Sequence, residues 1–348
     1  MTKPIALLAP SFRTLDELFD PADLARLGDL CDLVWARDEP VPPEIIETAA
    51  ADANFIIGTD PCFDQLDLDR APNLLACLEV AGSFPPSLDY DICFARGIEV
   101  LSCAPAFRRL VAEMTLGFMI AGARGIVDGH EAFRQGTETW LGEDERFDFS
   151  LYGQTVGFIG FGSIAQECNR LLAPFGCDVL VYDPWQDADV LADQGAKAMP
   201  LNDVVAKGRC LVIAASPTDE NYHLIDSDAF SLMPKGALLV LISRAHLVDF
   251  AALQTAIEQQ RIRAALDVFP AEPAPPGDPI RAWPNTILSA HRAAAVHHGR
   301  REIGRMVVDD IALMIKGEAP QHMQRANESH VRQRVGAVTV REAARARH

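Results

Sequence analysis

Thr155-Val-Gly-Phe-Ile-Gly160-Phe-Gly162-Ser163-Ile164-Ala165, followed by Asp178-Val-Leu-Val-Tyr-Asp183, decides the fold of this chain. An apolar run of strand character ends in a glycine turn and flows into an amphipathic helical pattern, and a second apolar run closes on an acid. Each part has a physical task in gripping a dinucleotide. Gly160 permits the tight turn, Gly162 lets the backbone approach a pyrophosphate, and the small Ala165 lets helix and strand pack closely. The helix N-terminus supplies amides and partial positive charge for phosphate. Asp183, at a strand end, can accept both ribose hydroxyls and would repel a 2′-phosphate, which favours NAD over NADP. A glycine pattern alone is a weak signal. Strand, helix, second strand and terminal acid in register make a stronger one, with a methyltransferase of similar topology as the rival reading.

The alternation extends in both directions. Strands are expected at 155–160, 178–182, 210–214, 237–242, 263–267 and 286–289, a six-stranded doubly wound unit. Upstream, apolar runs at 5–9, 32–35, 55–58, 74–80 and 98–101 read as a second parallel sheet, covered by helices at 15–27 and 43–51. A helix at about 110–123 leads into a polar stretch holding Trp140 and residues 142–146, and a final helix at about 296–316 crosses back to the first sheet. The expected fold class is α/β: two doubly wound parallel-sheet domains with a cleft between them. Ligands of such sheets sit beyond the carboxyl ends of the strands.

Composition bounds the partners. The 348 residues carry 31 Lys and Arg against 49 Asp and Glu, a formal net charge of -18, which leaves no electrostatic footprint for nucleic acid or an anionic membrane. The eight cysteines follow no CxxC or metal-type spacing, so no metal site is expected, and Cys77, Cys168 and Cys210 read as small buried hydrophobes of a reduced, cytoplasmic protein. The N-terminus lacks a signal-peptide layout, and the longest apolar stretch, 110–123, is too short for a bilayer and contains Glu113. Residues 319–348 hold six Arg against two Glu and few large apolar side chains; they read as a loosely held extension, with a basic interaction tail as the alternative.

Three ionisable residues fall at strand ends: Arg244 after 237–242, Glu272 in the Pro-rich loop past Asp267, and His291 after 286–290. Singly, an exposed Arg, a solvated loop Glu and a structural His are the ordinary readings. Together they supply what reversible reduction of a 2-oxo acid requires. An imidazolium can deliver a proton to the substrate oxygen, a guanidinium can hold a carboxylate and polarise the carbonyl, and a carboxylate beside the imidazole orients it and favours its protonated form.

With Gly160–Ala165, the segments Ser243-Arg244-Ala245-His-Leu-Val-Asp249, Ala265-Leu-Asp267-Val-Phe-Pro-Ala-Glu272-Pro273 and Asn285-Thr-Ile-Leu-Ser-Ala-His291 resemble the D-isomer-specific 2-hydroxyacid dehydrogenases, over roughly residues 1–318. The resemblance implies His291 as acid/base, Glu272 as its partner and Arg244 as carboxylate and carbonyl binder. It implies Ser163 and Ile164 along the pyrophosphate, Asp183 at the adenosine ribose, and Ser216 with Pro217 at the nicotinamide half. Ile242, Ser243, Arg244, Asp267 and His291 match positions at the nicotinamide end. It further implies a flavodoxin-like substrate domain (1–102 plus 296–318) and a Rossmann NAD-binding domain (103–295), and a homodimer built through the helix near 110–124. The expected partners are NAD and a small 2-hydroxy or 2-oxo acid. An NAD(H)-sensing corepressor of the same fold is the alternative.

The chain departs from the family pattern in several places. The loop whose Gly-x-Gly amides usually bind the substrate carboxylate is Ala81-Gly82-Ser83-Phe84-Pro85-Pro86 here. The amides of Ser83 and Phe84 can still point at a carboxylate, since Pro removes a donor only at its own position; the Phe84 ring either walls the pocket or packs within the loop. The common His-x-Pro is Ala215-Ser216-Pro217, Ala290 replaces the Pro before the catalytic His, and Ala245 replaces a Gly. Arg108 and Arg109 fall where smaller or amide residues are usual, and could meet an acidic or phosphorylated substrate tail, cap a helix or pair across a dimer. Trp140 and Glu143-Asp-Glu145 could reach a partner subunit's site.

Overall fold

Both stretches of strand-helix alternation become parallel sheets in the computed structural model, which describes residues 3–11, 13–140, 148–296, 298–328 and 331. The chain divides into two units, Met1–Arg108 with the residues from Ala295 on, and Arg109–Ala294.

In the first unit the strands are β1 (Ile5–Ala9), β2 (Asp32–Trp35), β3 (Phe55–Gly58), β4 (Ala76–Glu79) and β5 (Glu99–Ser102). They lie in the order β5-β4-β3-β1-β2 and pair in parallel. Helices cover both faces, so these strands are apolar throughout. Leu8, Ile57 and Leu78 pack with Phe19, Leu27, Ile303 and Val307, while Leu7, Ile56 and Cys77 pack with Ile46, Phe63, Phe84 and Tyr90. The helix expected at 15–27 is two helices, Leu15–Leu18 and Pro21–Leu30. Pro21 has no amide to continue the first, and the Asp20 carboxylate caps the second by accepting from the Ala22 amide at 3.1 Å. Helix Arg301–Ile315 belongs to this unit, and its Gly304 comes so near Leu18 that a Cβ would stand 2.5 Å from the Leu18 carbonyl oxygen.

The first residues of the tail expected to be loose, 319–328, are held against this unit, whereas 332–348 lie outside the described residues. Buried Asp310 accepts hydrogen bonds from the amides of Gln321, His322 and Met323 at 2.7, 2.9 and 2.7 Å. A further strand, β13 (Gln324–Arg325), then pairs antiparallel with β5, and Arg325 forms an ion pair with Glu99. The sixth strand of this sheet thus comes from the residues expected to be least ordered.

The second unit holds β6 (Thr155–Ile159), β7 (Asp178–Tyr182), β8 (Ala196–Ala198), β9 (Cys210–Ile213), β10 (Ala237–Leu241), β11 (Ile262–Leu266) and β12 (Thr286–Leu288), all parallel, in the order β12-β11-β10-β9-β6-β7-β8. The strand β8 was not expected and makes the sheet seven-stranded. From β6 the chain winds outward through β7 and β8, then returns to β9 and winds the other way, so the topological switch lies between β6 and β9. Helix Arg108–Ala123 buries Val111, Phe118 and Met119, and a Cβ on its Gly122 would stand 2.7 Å from Leu238. Buried Arg263 fixes the end of this helix by donating to the Gly122 carbonyl and to Asp148, each at 2.7 Å.

Candidate active site

Gly160 leaves β6 with φ +84, and a Cβ there would fall 2.4 Å from the Cα of Ala215, so only glycine fits the turn. Its amide donates to the Tyr182 carbonyl at 2.9 Å. Phe161 is buried edge-on against Phe158. Gly162 then caps helix Ser163–Leu172 in extended geometry with open space where a Cβ would stand, and the first-turn amides of the helix, at Ser163 and Ile164, follow it. Ala165 is buried and lets this helix close on the sheet. Open space, donors and partial positive charge at one helix start suit a pyrophosphate.

Asp183, just past β7, has a task the sequence did not disclose. Its Oδ2 accepts from the Phe161 amide at 2.7 Å and its Oδ1 from the Trp185 amide at 2.9 Å. One carboxylate therefore ties the glycine turn to the end of the next strand. A carboxylate has about four lone-pair sites, so capacity remains for ribose hydroxyls. Beyond β9, Ser216 and Pro217 sit in a loop held by Asn221, which donates to the Ser216 carbonyl and accepts from the Thr218 amide, both at 2.8 Å. After β10, Ile242 is buried, and the Ser243 hydroxyl is buried without a hydrogen-bond partner among the described residues. An orphaned hydroxyl there fits a polar cofactor edge.

The three ionisable candidates stand past the carboxyl ends of three adjacent strands: Arg244 after β10, Glu272 in the loop after β11, and His291 after β12. His291 Nδ1 is 2.7 Å from Glu272 Oε2, and Glu272 Oε1 accepts from the Phe269 amide at 2.8 Å. With Nδ1 turned to the carboxylate, Nε2 is the imidazole nitrogen left for a ligand. Both side chains are partly exposed. His291 adopts φ +51, a left-handed conformation that costs a non-glycine residue energy and persists where its surroundings impose it. Here the surroundings are Asp267, which is buried at 1 % exposure. Its carbonyl accepts from the His291 amide at 2.8 Å, and its carboxylate accepts from the amides of Arg292 and Ala293 at 2.8 and 3.0 Å. Arg244 is exposed, with Nη1 donating to the Ser243 carbonyl at 2.7 Å.

The loop of the first unit differs from expectation. The amide of Ser83, which the sequence left free for a carboxylate, donates to Glu79 at 3.0 Å, as do those of Ala81 and Gly82. The Phe84 side chain is buried with the core residues of the first unit. Glu79 was missed because a single acid in the apolar run 74–80 reads as strand filler. It is 2 % exposed, and burial, outweighing four hydrogen-bond donors, pushes its carboxyl up to about 7. Arg108 and Arg109 are exposed at a helix start, and Trp140 is exposed beside Phe133. Glu143-Asp-Glu145 lies outside the described residues.

All eight cysteines are free thiols. Burial pushes Cys62, Cys93 and Cys168 up to about 12, so these do not offer a thiolate nucleophile. Among the described residues, no single helix is long and apolar enough to cross a membrane.

Residues 116–293 match the family described as D-isomer specific 2-hydroxyacid dehydrogenase, NAD binding domain. A glyoxylate reductase of Korarchaeum cryptofilum is 28% identical over 300 residues, 83% of this chain and 88% of the relative. A glyoxylate reductase of Thermofilum pendens is 30% identical over 308 residues, 85% of this chain and 89% of the relative. The crystal structure of a phosphoglycerate oxidoreductase from Rhizobium etli superposes with a TM-score of 0.82 at 35% identity, covering 94% of this chain and 99% of that one. These relatives are enzymes, and the corepressor alternative finds no support in them. The chain belongs to the D-isomer-specific 2-hydroxyacid dehydrogenase family and is an NAD-dependent oxidoreductase of that class.

Proposed function

We propose that the protein interconverts a D-2-hydroxy acid and its 2-oxo acid, with His291 as acid/base, Glu272 as its partner and Arg244 as the binder of substrate carboxylate and carbonyl. The observation that carries this reading is the 2.7 Å contact of His291 Nδ1 with Glu272, beyond the carboxyl ends of the same sheet's strands as Arg244 and the glycine turn. A bound nicotinamide dinucleotide supplies or takes the hydride. Gly160, Gly162, Ser163 and Ile164 hold its pyrophosphate, Asp183 its adenosine ribose, and Ser216, Pro217, Ile242, Ser243 and Asp267 its nicotinamide half. In the direction of reduction, the imidazolium of His291 donates from Nε2 to the substrate oxygen while Glu272 keeps the ring in place. The Arg244 guanidinium holds the carboxylate and draws charge toward the carbonyl oxygen.

Asp183 supports a preference for NAD, because a 2′-phosphate would meet a carboxylate already fixed by two amides. The first unit is assigned as the substrate domain and the second as the cofactor domain, and the protein acts as a homodimer. Glyoxylate, hydroxypyruvate and larger 2-oxo acids are the candidate substrates. A panel of these acids with NADH and NADPH, read by loss of reduced-nicotinamide absorbance, tests the proposal. Turnover of a 2-oxo acid with NADH is expected, and NADPH preference would refute the task given to Asp183. Sedimentation equilibrium tests the dimer.

A further inference from the structure

The loops that follow β9 and β10 are joined twice, once by backbone and once by a side chain. In the backbone join, the His223 amide donates to the His246 carbonyl and the Ile225 amide to the Leu247 carbonyl, each at 2.9 Å. The Asp249 amide returns to the Ile225 carbonyl at 3.0 Å. Ile225, Leu247 and Val248 are buried in this short parallel pairing. It begins downstream of the candidate site residues: Ser216 and Pro217 precede it in one loop, Ser243 and Arg244 in the other. The second join lies closer to them. His246 Nε2 is 2.8 Å from the Thr218 carbonyl oxygen. A carbonyl oxygen only accepts, so Nε2 carries a proton and donates. The Tyr222 ring meets the His246 ring edge-on, with centroids 5.0 Å apart, and stacks on His223 at 3.9 Å. Asn221 bonds to both ends of the segment 216–218, so the imidazole grips a piece of loop with a fixed shape.

We infer that His246 is a positioning residue: its imidazole fixes the turn that carries Arg244 against the loop of Ser216 and Pro217, so that the guanidinium and the nicotinamide-binding loop are held as one piece. The inference rests on the roles proposed for Arg244 and for Ser216 with Pro217, and every residue in it belongs to the second unit. Arg244 has extended backbone, φ -147 and ψ 145, and is followed at once by the single turn Ala245–Leu247. Its side chain is exposed, so the turn beneath it decides where the guanidinium can reach. The precision matters, because a misplacement of about 1 Å in a positioning group can cost a hundredfold in rate. The backbone join alone leaves 216–218 and 243–245 as two separate loop starts. The imidazole, two residues from Arg244 in sequence, closes the gap between them.

Three substitutions separate the hydrogen bond from the packing. His246→Gln keeps a donor near the Nε2 position, His246→Leu keeps apolar bulk against Tyr222 without a donor, and His246→Ala keeps neither. In His246→Leu and His246→Ala, KM for glyoxylate and the dissociation constant of NADH each rise about tenfold, the value of one lost hydrogen bond. Over the same variants kcat changes less, and the pH profile of kcat stays in place, since Glu272 and His291 are untouched. His246→Gln returns both constants toward the wild type, which a residue that only packs would not do. In the wild type, nitrogen NMR of the imidazole shows a proton on Nε2. Wild-type constants in His246→Leu, a His246→Gln protein no better than His246→Leu, or a ring protonated on Nδ1 alone would each overturn the inference. Should His246→Ala fail to fold, His246→Leu and His246→Gln decide, and the tautomer is read on the unaltered protein. A wild type that binds NADH but reduces no 2-oxo acid would refute the proposed function, whereas the NADH constants of the variants and the tautomer would still decide whether the imidazole joins the two loops.

Discussion

Glu272 holds His291 with one carboxylate oxygen, at 2.7 Å from Nδ1, and holds its own loop with the other, at 2.8 Å from the Phe269 amide. The imidazole is thus oriented by a group that is itself fixed, as acid/base work requires. His291→Ala is expected to lower kcat by about a hundredfold to ten-thousandfold. Arg244→Ala should lower kcat/KM comparably, and both variants should bind NADH as the wild type does by fluorescence titration. Full activity in the His291 variant would end the assignment.

Glu272→Gln keeps the shape of the side chain and removes its charge. The expected result is a fall in kcat of about ten- to a hundredfold, the value of one charge-assisted hydrogen bond, with little change in NADH affinity. Steady-state kinetics at several pH values would expose an unaltered rate, which would remove Glu272 from the mechanism.

Asp183 carries two duties, and its substitution should show both. Asp183→Ser removes the group that refuses a 2′-phosphate and the acceptor of the Phe161 amide. KM for NADH is expected to rise about tenfold or more, and the ratio of NADH to NADPH activity to fall. A variant that keeps the wild-type ratio would show that the acid serves only the turn.

Gly160→Ala forces a side chain into a left-handed position 2.4 Å from the Ala215 backbone. The conformation alone costs about 1–2 kcal/mol, and the contact adds to it. Thermal unfolding should show a lower melting temperature and, unlike the wild type, little stabilisation by added NADH.

Burial raises the Glu79 carboxyl from its ordinary 4.5 to about 7. Between those pH values the folded protein keeps a proton that the unfolded chain has lost, so this group's contribution to stability falls as pH rises through the window, by about 3 kcal/mol in total. Arg13, Cys103 and Tyr90 lie close enough to share the field of this carboxyl. Denaturant unfolding across the window should therefore show a steeper decline for the wild type than for Glu79→Gln. Parallel curves would refute the shift.

The parallel strands were legible because strands buried on both faces are apolar runs: β1, β2, β3 and β7 fall at their expected residues. Ala196–Ala198 was not legible, since three residues with a central Lys carry no such run, and it forms as an edge strand by backbone pairing with β7. Gln324–Arg325 escaped for the same reason. The glycine turn, Asp183, Arg244, Glu272 and His291 could be singled out as candidates because each follows an apolar run. The carboxylates that shape the loops could not. Glu79 and Asp310 act through backbone amides two to thirteen residues further on, and backbone donors leave no mark on side-chain pattern; Asp267 was singled out for the cofactor, but its hold on the amides of Arg292 and Ala293 was not.

The sheet of the first unit draws its strands from both ends of the chain, whereas the second unit is continuous from Arg109 to Ala294. During synthesis the dinucleotide-binding half is complete as soon as its own residues have left the ribosome. The first half must wait, with its apolar β5 edge and the faces later covered by Ile303, Val307 and Met323 open to water, until the residues that follow the whole of the second unit arrive. A nascent chain halted before helix Arg301–Ile315 would expose that surface to chaperones and proteases, and would depend on them for its survival.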